Sequence, residues 1–290
     1  MRPLAAIAFL LAVPAVHCAS PSASETQPVA PQPSAAEAPI VDAAPAPAAF
    51  MEFDHSHKLF DEVLRASVEG EWLDYKKVDR KKLREYIEGL GRVTPKALAS
   101  WSRAERYAFW INVYNAHVIE IVLDHYPVES IKDIGGTVFG RVWDKEFIRL
   151  NSLHPGGDDE RLSLNEVEHE ILRPRFKDAR VHAAVNCASY SCPPLLGEAF
   201  VADKLEKQLD AQMKAFVNDE LRNKYDEKKN VIYLSEIFNW FEEDFEHDAG
   251  SVREYLLRFA PAERHAFIKK AKIKHLDYDW SLNDVEANRS

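Results

Sequence analysis

Positive charge is the first thing this sequence is short of. Its 37 Lys and Arg stand against 47 Asp and Glu, a formal net charge of −10. Sequence-independent nucleic-acid binding needs a basic footprint. A polybasic hold on anionic lipid needs clustered Lys and Arg. The charge balance argues against both. Long apolar runs are missing after residue 20, so no later segment is long enough to span a bilayer. Internal repeats are absent too. Cysteine is limited to Cys18, Cys187 and Cys192. The last two are separated by four residues, not the two of a Cys-x-x-Cys redox motif. No cluster has the tight spacing of a known zinc motif, so neither a metal nor a cofactor is expected.

What is there falls into three parts. Residues 1–18 read as an export signal. Arg2 supplies the charge, and Leu4 to Val16 an apolar core too short for a membrane span. Cys18 follows at the end of that core, which points to a bacterial lipoprotein with the lipid on its thiol. His17 departs from the small residue usual at that position. Residues 19–50 are rich in Pro, Ala and Ser without an apolar period, so they form a disordered spacer. Residues 51–285 suit one globular domain, large enough for a real core. The expected location is the periplasm or outer envelope, with membrane contact only through Cys18.

Within the domain, helices are expected over 57–68, 80–90, 102–125, 163–172, 203–218, 235–245, 252–259 and 262–270. Short strands are expected around 72–75, 143–151, 161–163, 231–234 and 273–279. That mixture makes an α+β fold with a buried central helix and a small sheet. The strongest helix is 102–125, where Ser102 and Glu105 form a capping box. It is apolar nearly all round, so it is buried. Asn112 and Asn115 lie on one of its faces. They either fix the core by bonding neighbouring loops or orient a group at a site. On 163–172, Ser163 and Glu166 form a second capping box. Glu168 falls on the apolar face, where a carboxylate needs a partner. His169 lies on the other side, one turn from Arg173.

The chain is organised around RVHAAVNCASYSCPPL, residues 180–195. Val181 to Asn186 reads as a buried strand, apolar on both faces. Pro193 and Pro194 cannot continue it. Two thiols and two serines thus enter a turn just after His182.

The blocks AFWINVYNA (108–116), LSLNEVEHEILR (162–173), VHAAVNCASYSCPPL (181–195), LSEIFNWFEEDF (234–245) and IKHLDYDWSLN (273–283) together resemble the family called domain of unknown function 547. The resemblance implies recurring polar residues at Asn112, Asn115, Glu168, His169, Arg173, His182, Cys187 and Cys192. It favours Cys187 over Cys192 as the essential thiol. It names no reaction.

Several chemistries stay open on these residues. In an oxidising compartment, Cys187 and Cys192 would make a structural disulfide closing a small loop. The protein would then be a non-catalytic binder of a small molecule or peptide. Nucleophilic catalysis needs a thiolate, a base and a group that orients the base. Cys187, His182 and Glu168 supply those types, with Asn112 or Asn115 as hydrogen-bond donor. This is the chemistry of a cysteine-dependent hydrolase or acyl transferase. The outline of a buried helix beside a His-bearing strand is similar to papain- and transglutaminase-like folds, by analogy alone.

Overall fold

The computed structural model describes residues 52–135, 141–150, 153 and 161–287. The expected export signal, the Cys18 anchor and the spacer lie outside the described residues. The helices are α1 (Lys58–Ser67), α2 (Arg80–Leu90), α3 (Pro95–Ser100), α4 (Arg103–His125), α5 (Arg173–Phe176), α6 (Leu205–Asn218), α7 (Ile237–Trp240), α8 (Glu242–Ala249), α9 (Val252–Phe259) and α10 (His265–Ile268). The strands are β1 (Val68–Glu69), β2 (Trp72–Leu73), β3 (Lys224–Asp226), β4 (Val231–Leu234) and β5 (Lys272–His275). The fold is α+β.

The central helix α4 forms for the reasons its sequence gives. Ser102 Oγ accepts from Glu105 N at 3.1 Å, and Glu105 Oε2 accepts from Ser102 N at 2.7 Å. These two bonds satisfy donors that the first helical turn leaves orphaned. Phe109, Trp110, Ile111, Val113, Tyr114, Val118, Ile119 and Val122 are all buried. Burying each large apolar side chain contributes roughly 2 kcal/mol. The helix ends before Pro127, which has no N–H to offer.

Two hydrophobic clusters share the unit. One surrounds α4 and takes in Phe60, Leu64, Tyr86, Leu172 and Phe200. The other, with Phe216, Phe238, Phe245 and Tyr255, lies under a three-stranded sheet. There β3 pairs antiparallel with β4, and β4 pairs parallel with β5, Ile232 opposite Ile273. A separate small ribbon pairs β1 with β2. No helix among the described residues is long and apolar enough to cross a membrane.

Three expectations fail locally. The segment 181–186 is not a strand. A 3-10 turn, Ala179–Ala183, gives way to an irregular loop. The ribbon expected from 143–151 and 161–163 reduces to one antiparallel bridge, Ile148 with Leu162. The intervening Gly156 to Asp159 lies outside the described residues. The single helix expected over 235–245 is two, because Phe241 leaves helical geometry at φ −117°, ψ 26°. The helix at 163–172 does form, with its capping bonds between Ser163 and Glu166. From Glu166 to Leu172 it is wound as a π-helix.

Candidate functional site: a thiol in an aromatic cavity

The loop that carries Cys187 is held from two sides. On one side stands Asn115 of α4. Its Nδ2 donates to Ala184 O at 2.9 Å, and its Oδ1 accepts from Asn186 N at 2.9 Å. A side chain thereby supplies the partners that a neighbouring strand would have supplied, which is why no strand is needed. Asn186 continues the clamp. Its Oδ1 accepts from Ala188 N at 2.9 Å, and its Nδ2 donates to Pro193 O at 2.8 Å. On the other side runs the C-terminal segment. Asn283 N donates to Ala188 O at 3.0 Å, and Tyr190 N to Ser281 O at 2.7 Å. Asn283 Nδ2 reaches Asn186 Oδ1 at 3.1 Å. Buried Arg222 adds bonds to the carbonyls of Cys192 and Tyr190.

These bonds hold Ala188 at φ 61°, in the left-handed region. For a residue with a Cβ this costs about 1–2 kcal/mol. The strain falls on the residue directly after Cys187.

The Cys187 sulfur sits among donors. Ser189 Oγ is 3.1 Å away and Tyr278 Oη 3.4 Å. The two hydroxyls are 2.9 Å apart. Cys192 packs against it, its own sulfur accepting from Cys187 N at 3.1 Å. A hydrogen bond from the Cys192 thiol, opposed by burial but aided by Ser189 and Tyr278, brings the Cys187 thiol down from 9.0 to about 7. Burial pushes Cys192 the other way, well above its ordinary value. The two thiols are thus unlike: Cys187 leans to thiolate and Cys192 stays protonated. Both are free. The structural disulfide, one of the readings open from the sequence, is not formed.

His182 is buried and stacks on Phe241, centroids 3.9 Å apart at 18°. Its Nε2 lies 2.7 Å from Asp244 Oδ2. A carboxylate only accepts, so Nε2 carries the proton. Burial holds the imidazole below its ordinary value, so it is neutral and its Nδ1 keeps a lone pair. That Nδ1 is buried without a partner among the described residues. Asp244 also accepts from Arg173 Nε at 2.6 Å and Nη2 at 3.2 Å. Burial works to raise Asp244, but the bonds from His182 and Arg173 outweigh it and hold the carboxyl well below its usual range. Since His182 is neutral, the ion partner of Asp244 is Arg173. His169 Nδ1 contacts Arg173 at 3.0 Å on its other side.

Cys187, Cys192, His182, His169, Arg173 and Glu168 all line one cavity of about 640 Å³. Much of its remaining wall is aromatic, with Trp143, Trp240, Phe241, Tyr278 and Trp280. Glu168 is not the carboxylate that holds His182. It bonds the Tyr114 hydroxyl, and burial raises it above its ordinary value. Asn112 is not on the lining. Its Nδ2 donates to Phe200 O at 2.7 Å and its Oδ1 accepts from Phe200 N at 3.1 Å. Both functions of that amide are spent on one residue. Asn115 likewise acts through the loop it clamps. Among the described residues, no group of three or more His, Cys, Asp and Glu converges as a metal site.

Two site residues escaped the sequence reading: Asp244 and Tyr278. Asp244 sits in the acidic run Glu242-Glu243-Asp244, inside the single aromatic helix expected over 235–245. The break at Phe241 turns it inward. Tyr278 lies between Asp277 and Asp279, with no periodicity to mark it.

No curated protein and no solved structure matches the chain significantly. The family described as "Protein of unknown function, DUF547" matches residues 98–217, which hold α4, the Glu168 helix and both thiols. The match is shorter than the blocks of resemblance, and Asp244 and Tyr278 lie beyond it. Over residues 98–217, then, the chain is similar to the DUF547 family.

Proposed function

We propose that the cavity is the active site of a cysteine-dependent hydrolase or acyl transferase working in the bacterial envelope. The observation that carries the reading is the Cys187 sulfur, ringed by donors, strained at its neighbour and facing a cavity that also receives His182. A thiolate there attacks a carbonyl carbon. The C–S bond forms, the leaving group departs with its electron pair, and a thioester remains. Neutral His182, oriented by Asp244, has the lone pair to take a proton from water or an acceptor in the second step. Water gives hydrolysis and an amine or hydroxyl gives transfer. Glu168 braces the cavity wall through Tyr114 and takes no proton in this scheme. Export through residues 1–18 and a lipid on Cys18 belong to the same proposal, resting on the sequence.

The test is a panel of ester and thioester substrates with the wild-type chain, Cys187→Ser and Asp244→Asn. Turnover should vanish in Cys187→Ser. It should fall by about 100-fold or more in Asp244→Asn, which leaves His182 with the wrong partner. A trapped acyl group on Cys187 by mass spectrometry would complete the case. Full turnover in Cys187→Ser would refute it.

A further inference from the structure

The protein carries a net charge of −10, yet cations outnumber carboxylates on the lining of this cavity among the described residues. Three cations line it: Lys132, Arg141 and Arg173. Glu168 is the single carboxylate on the lining among the described residues. Arg173 is matched by Asp244 at 2.6 Å. Arg141 is 81% exposed and only 3.6 Å from Asp144. Lys132 has no carboxylate within ion-pair distance among the described residues, and its ammonium lies 3.9 Å over the Trp280 ring.

The aromatic wall connects that ammonium to the thiol. Trp280 packs on Tyr278 with centroids 4.5 Å apart, and on Trp240 at 5.7 Å and 22°. Tyr278 packs on Trp240 at 4.7 Å and reaches the Cys187 sulfur at 3.4 Å. Trp240 is 46% exposed, an unusual state for so large an apolar ring. The order along the wall is therefore thiol, phenol, indole faces, cation. Aromatic faces take flat apolar bodies by stacking. A cation at the far end takes an anion.

Resting on the acyl-transfer reading above, we infer that the substrate is an acyl compound with a flat ring beside the reactive carbonyl and a carboxylate or phosphate beyond the ring. The carbonyl meets Cys187, the ring lies on Tyr278, Trp240 and Trp280, and the anion meets Lys132. Arg141, exposed at the lining, steers the same charge inward.

Binding can be read apart from chemistry. Phenylacetamides resist acyl transfer, and quenching of tryptophan fluorescence reports their binding. Four such probes, with a para carboxylate, phosphate, trimethylammonium or methyl group, are titrated into the wild-type chain, Lys132→Glu and Trp240→Ala. The anionic probes should bind about tenfold tighter than the methyl probe. The better of the two identifies the anion. Lys132→Glu should reverse the order in favour of trimethylammonium, and Trp240→Ala should weaken every probe. Equal binding of all four, or none, overturns the inference. Matching thioesters then separate it from the reaction. Turnover without charge preference keeps the thiol chemistry and removes the inferred substrate. Charge-selective binding without turnover keeps the ligand class and removes the acyl transfer.

Discussion

Removing Cys192 should take away about half of what sets Cys187 apart from an ordinary thiol. The drop of Cys187 from 9.0 to about 7 corresponds to about 3 kcal/mol of preferential interaction with the thiolate. The hydrogen bond from Cys192 is its largest single source, followed on the favourable side by Ser189 and then Tyr278. At pH 7 the native thiol is about half ionised, against about 1% for an unperturbed one. Rate alone is a poor gauge of this. A less basic thiolate is also a weaker nucleophile, which takes back about eightfold of that fiftyfold gain. The better measurement is the midpoint of alkylation rate against pH. Iodoacetamide and peptide mass spectrometry resolve Cys187 from the buried Cys192. The wild-type midpoint should fall near pH 7. Cys192→Ala should raise it by roughly one unit, and Ser189→Ala and Tyr278→Phe by less. The reasoning is refuted if the native midpoint lies above about 8.5, or if Cys192→Ala leaves it where it was while thermal unfolding is unchanged.

Other expectations follow from single residues. Asn115→Leu orphans Ala184 O and Asn186 N and should cost about 2–4 kcal/mol in urea unfolding, with the alkylation midpoint of Cys187 moving up as its loop loosens. His57 and His117 are buried and held down from 6.5 to about 4, chiefly by burial. The unfolded chain therefore binds more protons between these values. The stability they confer is complete above pH 6.5 and drains away as pH falls toward 4, by about 3 kcal/mol for each. Urea midpoints from pH 7 to 4.5 should show that decline, and His117→Gln should flatten it. Glu168 is shifted the opposite way, so its contribution is present below its ordinary value of 4.5 and is lost as pH rises through the folded value. Glu168→Gln should then be neutral or stabilising at pH 7, measured by thermal unfolding. Marked destabilisation would mean the ionised form is the native one.

Local signals in the sequence were read well where local physics decides the structure. The capping pairs Ser102/Glu105 and Ser163/Glu166 both form, and α2, β4 and α9 stand where their patterns put them. Both thiols, His182, His169, Arg173 and Glu168 were also legible as residues of one place. What could not be read is long-range. Whether residues 181–186 make a strand depends on Asn115, about 70 residues earlier, offering its amide to Ala184 and Asn186. The same amide looked like a catalytic donor because a buried Asn gives no sign of which backbone it satisfies. The orienting carboxylate was assigned to Glu168 because its helical face is visible in sequence. The inward turn of Asp244 depends on one irregular residue, Phe241, whose ring stacks on His182.

The pinning of the thiol loop by Asn283, Ser281 and Asp279, whose carbonyl accepts from Ser191 N at 3.1 Å, sets an order of events in time. A ribosome makes residues 187–192 long before residues 278–283. Until those last residues arrive, Ala188 O and Tyr190 N have no partners, and Tyr278 is not there to face the sulfur. A nascent or truncated chain ending before Tyr278 has both cysteines but not the environment that sharpens one of them. The full environment of the thiol is thus not set until residues 278–283 have been made, and a label that reacts quickly with Cys187 reports a chain that extends past them.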